Sequence, residues 1–156
     1  MPKTKTHDAV IIGGGIAGAS LAYFLTKKGM RDILILEKEE QPGYHSTGRA
    51  AGVFAEFDPI PSMVDLKILG GKFLRKPPQD FSEFPLLRKS GILLLAQGEI
   101  WQALVGMIPE LKSKGVEIEV LSRDGAHLIV PVISHQFIDG ALLLPEDGHI
   151  DVHELL

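Results

Sequence analysis

The sequence predicts an α/β fold, in which an N-terminal strand–helix–strand unit precedes part of a second, α+β domain. The stretch AVIIG (9–13) is a short apolar run that ends in glycines, which is typical of a buried parallel strand. Residues 16–28 space their apolar side chains as a helix does, and Gly29 follows as a helix-ending glycine. The stretch DILILE (32–37) is a second buried strand, so the unit favours a right-handed parallel crossover.

The rest of the chain alternates shorter helical and extended patterns. After a loop, residues 48–56 are predicted to form a short helix of small residues. The further predictions are a helix at 62–75, a strand at 90–97, a helix at 99–114, a half-buried strand at 116–122, a short helix capped by Ser122 before Pro131, a strand that runs into a turn over 139–148, and a helix that starts at Asp151.

Composition excludes several classes of protein. The net charge of −4 argues against nucleic acid as a partner, because phosphate-binding proteins usually present a basic face. The absence of cysteine excludes disulfides and thiolate metal sites, and no apolar run is long enough for stable membrane insertion. His149 and His153 have helical spacing, but Asp151 as a cap places His149 outside the helix, so no metal site is predicted. The polar N-terminus lacks a signal-peptide pattern, and the prediction is a cytoplasmic protein.

A glycine-rich turn lies between the first strand and the first helix. The stretch Gly13-Gly14-Gly15-Ile16-Ala17-Gly18 fits the G-x-G-x-x-G pattern in its required context. Gly13 permits the tight turn, Gly15 lets a pyrophosphate approach the backbone, and Gly18 lets helix and strand pack closely. The free N–H groups at the start of the helix attract phosphates, so the pattern predicts a Rossmann-like dinucleotide site.

An acidic residue completes this pattern. Glu37 ends the second strand, 19 residues after Gly18, where a carboxylate accepts hydrogen bonds from ribose hydroxyls. A ribose 2′-phosphate would be repelled, which argues against NADP. These residues are compatible with either NAD or FAD. They are also compatible with a glycine-rich helix start beside a solvated glutamate that binds no dinucleotide.

The 41–52 loop, QPGYHSTGRAAG, distinguishes the two cofactors. NAD-binding units usually continue into another helix, whereas here a proline–glycine turn leads to HSTGRAAG. Together with VIIGGGIAGASLAYFL and LILEK, this loop resembles the N-terminal signature of the FAD-dependent D-amino-acid oxidase superfamily, which includes glycine and sarcosine oxidases. Within it, QPGYHSTGR and weaker similarities at residues 85–87, 129–132 and 147–155 resemble D-arginine dehydrogenase-like proteins.

The resemblance implies an FAD-binding fold in which the 41–52 loop passes along the flavin. Ser46 and Thr47 would lie near the ribityl chain and phosphates, and the small residues Ala50, Ala51 and Gly52 would let the backbone lie against the flavin ring. Arg49 would meet a phosphate or a carboxylate of the protein. The complete set of predicted FAD-binding residues is Gly13, Gly15, Ile16, Ala17, Gly18, Glu37, Lys38, His45, Ser46, Thr47, Arg49, Ala50, Ala51 and Gly52.

The resemblance also implies an activity and a domain organisation. The activity is oxidation of an amine or amino acid at its C–N bond, with hydride transfer to the flavin and either oxygen or another carrier as electron acceptor. Residues 1–60 would belong to the FAD domain, residues 61–148 to the substrate domain, and residues 149–156 to a helix returning to the FAD domain. We expect a truncated, N-terminal part of a longer protein, with a missing C-terminal half or a partner chain. The alternative is a non-catalytic dinucleotide-binding fragment or a subunit of a split enzyme.

The substrate side of the sequence is less defined, and no catalytic residue is predicted. D-arginine dehydrogenases are expected to carry a histidine and a tyrosine after the GRxAA stretch, whereas Gly52-Val53 and then Asp58 stand here. Glu56 and Asp58 could bind a cationic substrate or lie in a solvated loop. We also expect solvated side chains at Glu146 and Asp147 and in a basic cluster formed by Lys72, Arg75 and Lys76.

Overall fold

The computed structural model describes residues 5–156, which fold into two compact units. The first unit comprises the described residues up to Ala51 together with Val152–Leu156, and the second comprises Gly52–Asp151. The strands are β1 (Ala9–Ile12), β2 (Ile33–Leu36), β3 (Val53–Phe54), β4 (Leu87–Lys89), β5 (Ile92–Ala96), β6 (Glu119–Leu121), β7 (Gly140–Leu144) and β8 (Gly148–Ile150). The helices are α1 (Ile16–Lys27), α2 (Pro61–Arg75), α3 (Gly98–Ser113), α4 (Arg123–Ile129) and α5 (Val152–Leu155), with a 3₁₀ turn at His135–Phe137.

The first unit contains the predicted strand–helix–strand arrangement. Strands β1 and β2 pair in parallel, with Ala9 opposite Ile33 and Ile12 opposite Leu36, and α1 connects them. The carboxyl ends of both strands therefore lie at the same edge, which is where α/β proteins bind ligands. The structure confirms the α/β fold class.

The second unit contains two antiparallel sheets, with strand orders β3–β8–β4 and β5–β7–β6. Its main core lies between α2, α3 and β7, where Val64, Leu111, Leu142 and Leu144 are almost fully buried. The predicted cap of α4 is confirmed, because the Gly125 N–H donates to Ser122 Oγ at 3.1 Å.

The prediction of a short helix at residues 48–56 is wrong. Residues up to Ala50 form turns, and Val53–Phe54 is instead a strand that pairs with His149 and Gly148. The sequence alone does not place these partners together, because they lie far along the chain and the strand has only two residues. None of the helices within residues 5–156 combines the length and apolar character needed to cross a lipid bilayer.

Candidate dinucleotide site

The turn between β1 and α1 has the close backbone packing that its glycines predict. Gly13 has a φ of 103°, which side chains rarely allow, and its N–H donates to the Leu36 carbonyl at 2.7 Å. A Cβ placed on Gly18 would overlap the Gly13 carbonyl oxygen and would lie 3.2 Å from Ile11 Cγ2. Gly18 is therefore required so that α1 can begin directly against β1.

The carboxylate of Glu37 is fixed by backbone N–H groups. Its Oε2 accepts from Gly14 at 2.7 Å, and its Oε1 accepts from Lys38 at 2.8 Å and Glu39 at 3.1 Å. The pKa of Glu37 is lowered, chiefly by the hydrogen bond from Gly14 and then by that from Glu39. A carboxylate has about four acceptor positions, so three backbone donors leave room for about one ribose hydroxyl.

Thr47 links the 41–52 loop to the start of α1. Its Oγ1 accepts from the Ile16 N–H at 3.1 Å, and the residue is 9% exposed. A Cβ on Gly15 would lie 2.9 Å from this oxygen, so the absent side chain makes room for the contact. The loop folds back on itself, because the Gly48 N–H donates to the Gly43 carbonyl at 2.6 Å.

We expect Thr47→Val to destabilise the protein by about 1 kcal/mol, because the Ile16 N–H at the helix start loses its acceptor. The free energy of unfolding in urea measures this loss. Thr47→Ser keeps the hydroxyl, and Ser46→Ala removes a neighbouring exposed hydroxyl, so both should stay closer to the parent protein. Equal stability of Thr47→Val and Ser46→Ala would contradict this role.

These groups surround a cavity of about 510 Å³ in the first unit. The predicted residues that line it are Gly13, Gly15, Glu37, Lys38, His45, Ser46 and Thr47. The other predicted residues, Ile16, Ala17, Gly18, Arg49, Ala50, Ala51 and Gly52, are not among those that line it. The lining residues that the sequence prediction missed are Ile12, Leu36, Gly43 and Tyr44. Ile12 and Leu36 are the last residues of the two parallel strands. Because α/β proteins bind ligands at the carboxyl ends of such strands, the sequence could have indicated that both residues line the cavity.

Charged and aromatic side chains in and beside the 41–52 loop contact one another. Glu39 Oε1 lies 2.7 Å from His45 Nε2 and 3.2 Å from Lys38 Nζ, and the pKa of Glu39 is lowered, chiefly by the His45 hydrogen bond. The Arg49 guanidinium lies 5.4 Å from the centre of the Tyr44 ring. A contact between Arg49 and a phosphate or carboxylate stays a prediction.

The residues of the cavity and the adjacent start of α1 fit a dinucleotide. The N–H groups of Ala17 and Gly18 lie in the first turn of α1 and have no acceptor within the helix, and the first turn carries no acidic side chain. This end of the helix therefore attracts a phosphate anion. Glu37 offers an ionised acceptor beside it, and the exposed side chains of Ile12 and Leu36 offer apolar surface for a base.

The second unit contradicts two of the predictions of solvated side chains. Asp147 is 1% exposed, and Arg75 is half-buried between Asp147 and Glu56, which is itself 6% exposed. We call Glu56, Arg75 and Asp147 the buried ion cluster. The prediction was wrong because a local polar composition does not reveal partners that lie far along the chain. Asp58 forms an ion pair with Lys67 at 2.9 Å.

Comparison with known proteins identifies the family. Residues 8–156 match the family model described as FAD dependent oxidoreductase, so the chain belongs to this family of flavin-dependent enzymes.

Two curated proteins and one solved structure are similar to this chain over most of its length. The chain is 30% identical over 149 residues to mitochondrial dimethylglycine dehydrogenase of Rattus norvegicus, covering 95% of this chain and 17% of that protein. It is 32% identical over 154 residues to 4-methylaminobutanoate oxidase (formaldehyde-forming) of Paenarthrobacter nicotinovorans, covering 94% and 18%. L-proline dehydrogenase from P. horikoshii shares the fold with a TM-score of 0.82 at 24% identity, covering 96% of this chain and 39% of that structure. The chain thus spans less than a fifth of the length of these two curated relatives.

Proposed function

We propose that this chain provides the dinucleotide-binding segment of an FAD-dependent oxidoreductase that acts on the C–N bond of a small amine or amino acid. The observation that carries the proposal is the arrangement of Glu37, held by the Gly14 N–H at 2.7 Å, beside the glycine turn and Thr47 in one cavity. Membership of the family supports FAD over NAD as the cofactor.

Each part of the site would have a separate role. The glycine turn and the start of α1 would hold the pyrophosphate, and Glu37 would accept a hydrogen bond from the adenosine ribose. Thr47 would keep the 41–52 loop against the turn through the Ile16 N–H. FAD, when bound, would accept a hydride from the carbon beside the substrate nitrogen, and water would hydrolyse the resulting imine.

The names of the relatives suggest which substrates to test first. Dimethylglycine dehydrogenase and 4-methylaminobutanoate oxidase are both named for N-methylated substrates, and the second is named as formaldehyde-forming. We therefore propose an N-methylated amino acid as the first substrate class. The similarity to D-arginine dehydrogenase stays a prediction, as does the cytoplasmic location.

Anaerobic reduction of the bound flavin tests this proposal. The purified protein is loaded with FAD and mixed with dimethylglycine, 4-methylaminobutanoate, glycine or D-arginine, while visible absorbance and formaldehyde are measured. Bleaching of the flavin with formaldehyde release by the N-methylated compounds is the expected result. Bleaching of the flavin by D-arginine alone would favour a D-arginine dehydrogenase-like activity. Bound FAD that no amine or amino acid reduces would favour the non-catalytic dinucleotide-binding module.

A further inference from the structure

The buried ion cluster joins three separated parts of the second unit. Glu56 lies two residues beyond β3, Arg75 is the last residue of α2, and Asp147 lies in the turn between β7 and β8. Arg75 Nη1 donates to Glu56 Oε1 at 2.5 Å, and Arg75 Nη2 donates to Asp147 Oδ1 at 3.1 Å. The Glu56 N–H donates to Asp147 Oδ2 at 2.9 Å. Each of the three residues therefore contacts the other two.

Neighbouring residues leave room for this cluster and extend it. A Cβ on Gly71 would lie 2.5 Å from Glu56 Oε1 and 2.6 Å from Arg75 Nη1, so α2 carries a glycine where the two side chains meet. The Arg75 guanidinium also lies 5.8 Å from the centre of the Phe54 ring. The cluster thus contacts β3 itself as well as the segment after it.

The charges within the cluster do not balance. Two carboxylates face one guanidinium, and Glu146 nearby forms its ion pair with Lys89. Arg75 Nε is buried and has no hydrogen-bond partner among the described residues. Burial raises the pKa of Asp147, followed by smaller and opposing effects of its neighbours. Because desolvation offsets much of the attraction in such clusters, the cluster is weak evidence for stability, and we consider instead a role in fixing the geometry of the chain.

The cluster holds the backbone directly after the 41–52 loop. The Gly52 carbonyl accepts from the Ile150 N–H at 2.6 Å, and Phe54 pairs with Gly148, the residue after Asp147. The cluster therefore holds one end of this pairing, where β3 ends and β8 begins, and the hydrogen bond between Ile150 and Gly52 lies at its other end. Residues 50–52 are the part of the loop predicted to face the flavin ring.

We propose that Arg75 is a positioning residue, which acts through Glu56 and Asp147 to fix the chain leaving the flavin-facing loop. The proposal rests on the proposed function, since it requires residues 50–52 to contact bound FAD. Arg75 itself need not touch the cofactor.

Arg75→Met tests this role, because methionine keeps much of the apolar volume and removes both charged hydrogen bonds. We expect FAD to bind about tenfold more weakly, and the visible absorption band to lose resolved shoulders as the ring becomes more mobile. The matched control is Arg88→Met, which removes an exposed arginine of β4 in the same unit. Dissociation constants and spectra are recorded at temperatures where both variants are folded.

Asp147→Asn provides a second test that holds even where Arg75→Met fails to fold. The groups that face Asp147 are Glu56, Arg75 and Glu146. Because the folded pKa of Asp147 is raised, its contribution to stability is present at low pH and is lost as pH rises through that value. We expect the free energy of unfolding to fall in this way with rising pH in the parent protein and in the control Glu117→Gln. In Asp147→Asn, we expect it to depend less on pH. Asp147→Asn should also broaden the spectrum of bound flavin.

The outcomes separate this inference from the proposed function. A parent protein that binds no FAD would overturn both. A parent protein that binds FAD, with unchanged flavin affinity and spectrum in folded Arg75→Met or Asp147→Asn, would overturn the positioning role alone. Weaker binding in the two cluster variants, with parent-like binding in Arg88→Met and Glu117→Gln, would support it.

Discussion

Gly18→Ala is expected to abolish retention of FAD during purification. The new Cβ would overlap the Gly13 carbonyl oxygen, which is part of the backbone and cannot move independently. Relief of this overlap pushes the start of α1 away from β1, so the N–H groups of Ala17 and Gly18 move away from the cavity that Glu37 and Thr47 line. Overpacking of this kind also destabilises a protein by about 1–3 kcal/mol.

The measurement is the ratio of flavin to protein absorbance, together with urea unfolding. Gly106→Ala is the matched control, because Gly106 lies within α3 and a Cβ there would meet no atom within 4 Å. We expect this control to retain FAD and to gain about 0.5–1 kcal/mol, as alanine usually does in a helix. Flavin retention by Gly18→Ala equal to that of the control would show that close packing at this turn is not required for binding.

Glu37→Gln is expected to weaken FAD binding by about ten- to a hundredfold. An amide has a single acceptor oxygen, so it cannot accept from Gly14 on one side and from Lys38 and Glu39 on the other. At least one of these backbone N–H groups loses its partner, and the ribose loses a charged acceptor. Titration of the protein with FAD, followed by flavin fluorescence, measures the effect.

The pH dependence of binding provides a separate check on Glu37. Since its folded pKa lies below the ordinary value of 4.5, its contribution is present above that value and is lost as pH falls through the lowered pKa. We therefore expect FAD affinity to stay constant from neutral pH down to about 4.5. Glu40→Gln, at an exposed neighbouring position, should behave as the parent protein. An equal loss of FAD affinity in Glu37→Gln and Glu40→Gln would assign the effect to net charge rather than to the Glu37 carboxylate.

Local patterns predicted the strands and helix of the first unit because each has a clear sequence pattern and they follow one another directly along the chain. The strands β1 and β2 are apolar, the helix between them has regular spacing, and the glycine turn fixes how they meet. The sheet β3–β8–β4 could not be predicted in this way, because its strands have only two or three residues. Gly52 adopts a φ of 66°, which ends the turns of the loop where the small residues alone had suggested a helix.

The dinucleotide site could be predicted in part and the buried ion cluster could not, for the same reason. Glu37 and the glycine turn follow a sequence pattern whose geometry is general, so their proximity was predicted. The hydrogen bond from Ile16 to Thr47 crosses 31 residues, and the resemblance placed Thr47 near the cofactor without indicating this contact. Asp147 meets Glu56 across 91 residues and Arg75 across 72, so nothing local distinguishes it from a solvated turn residue.

We propose above all that the glycine turn, Glu37 and Thr47 form an FAD site in this chain. Its most direct test is the visible absorption spectrum of the purified protein before and after added FAD and gel filtration. We expect a flavin band that elutes with the protein and is lost in Gly18→Ala. A parent protein that stays colourless after added FAD, although it is folded, would contradict the claim.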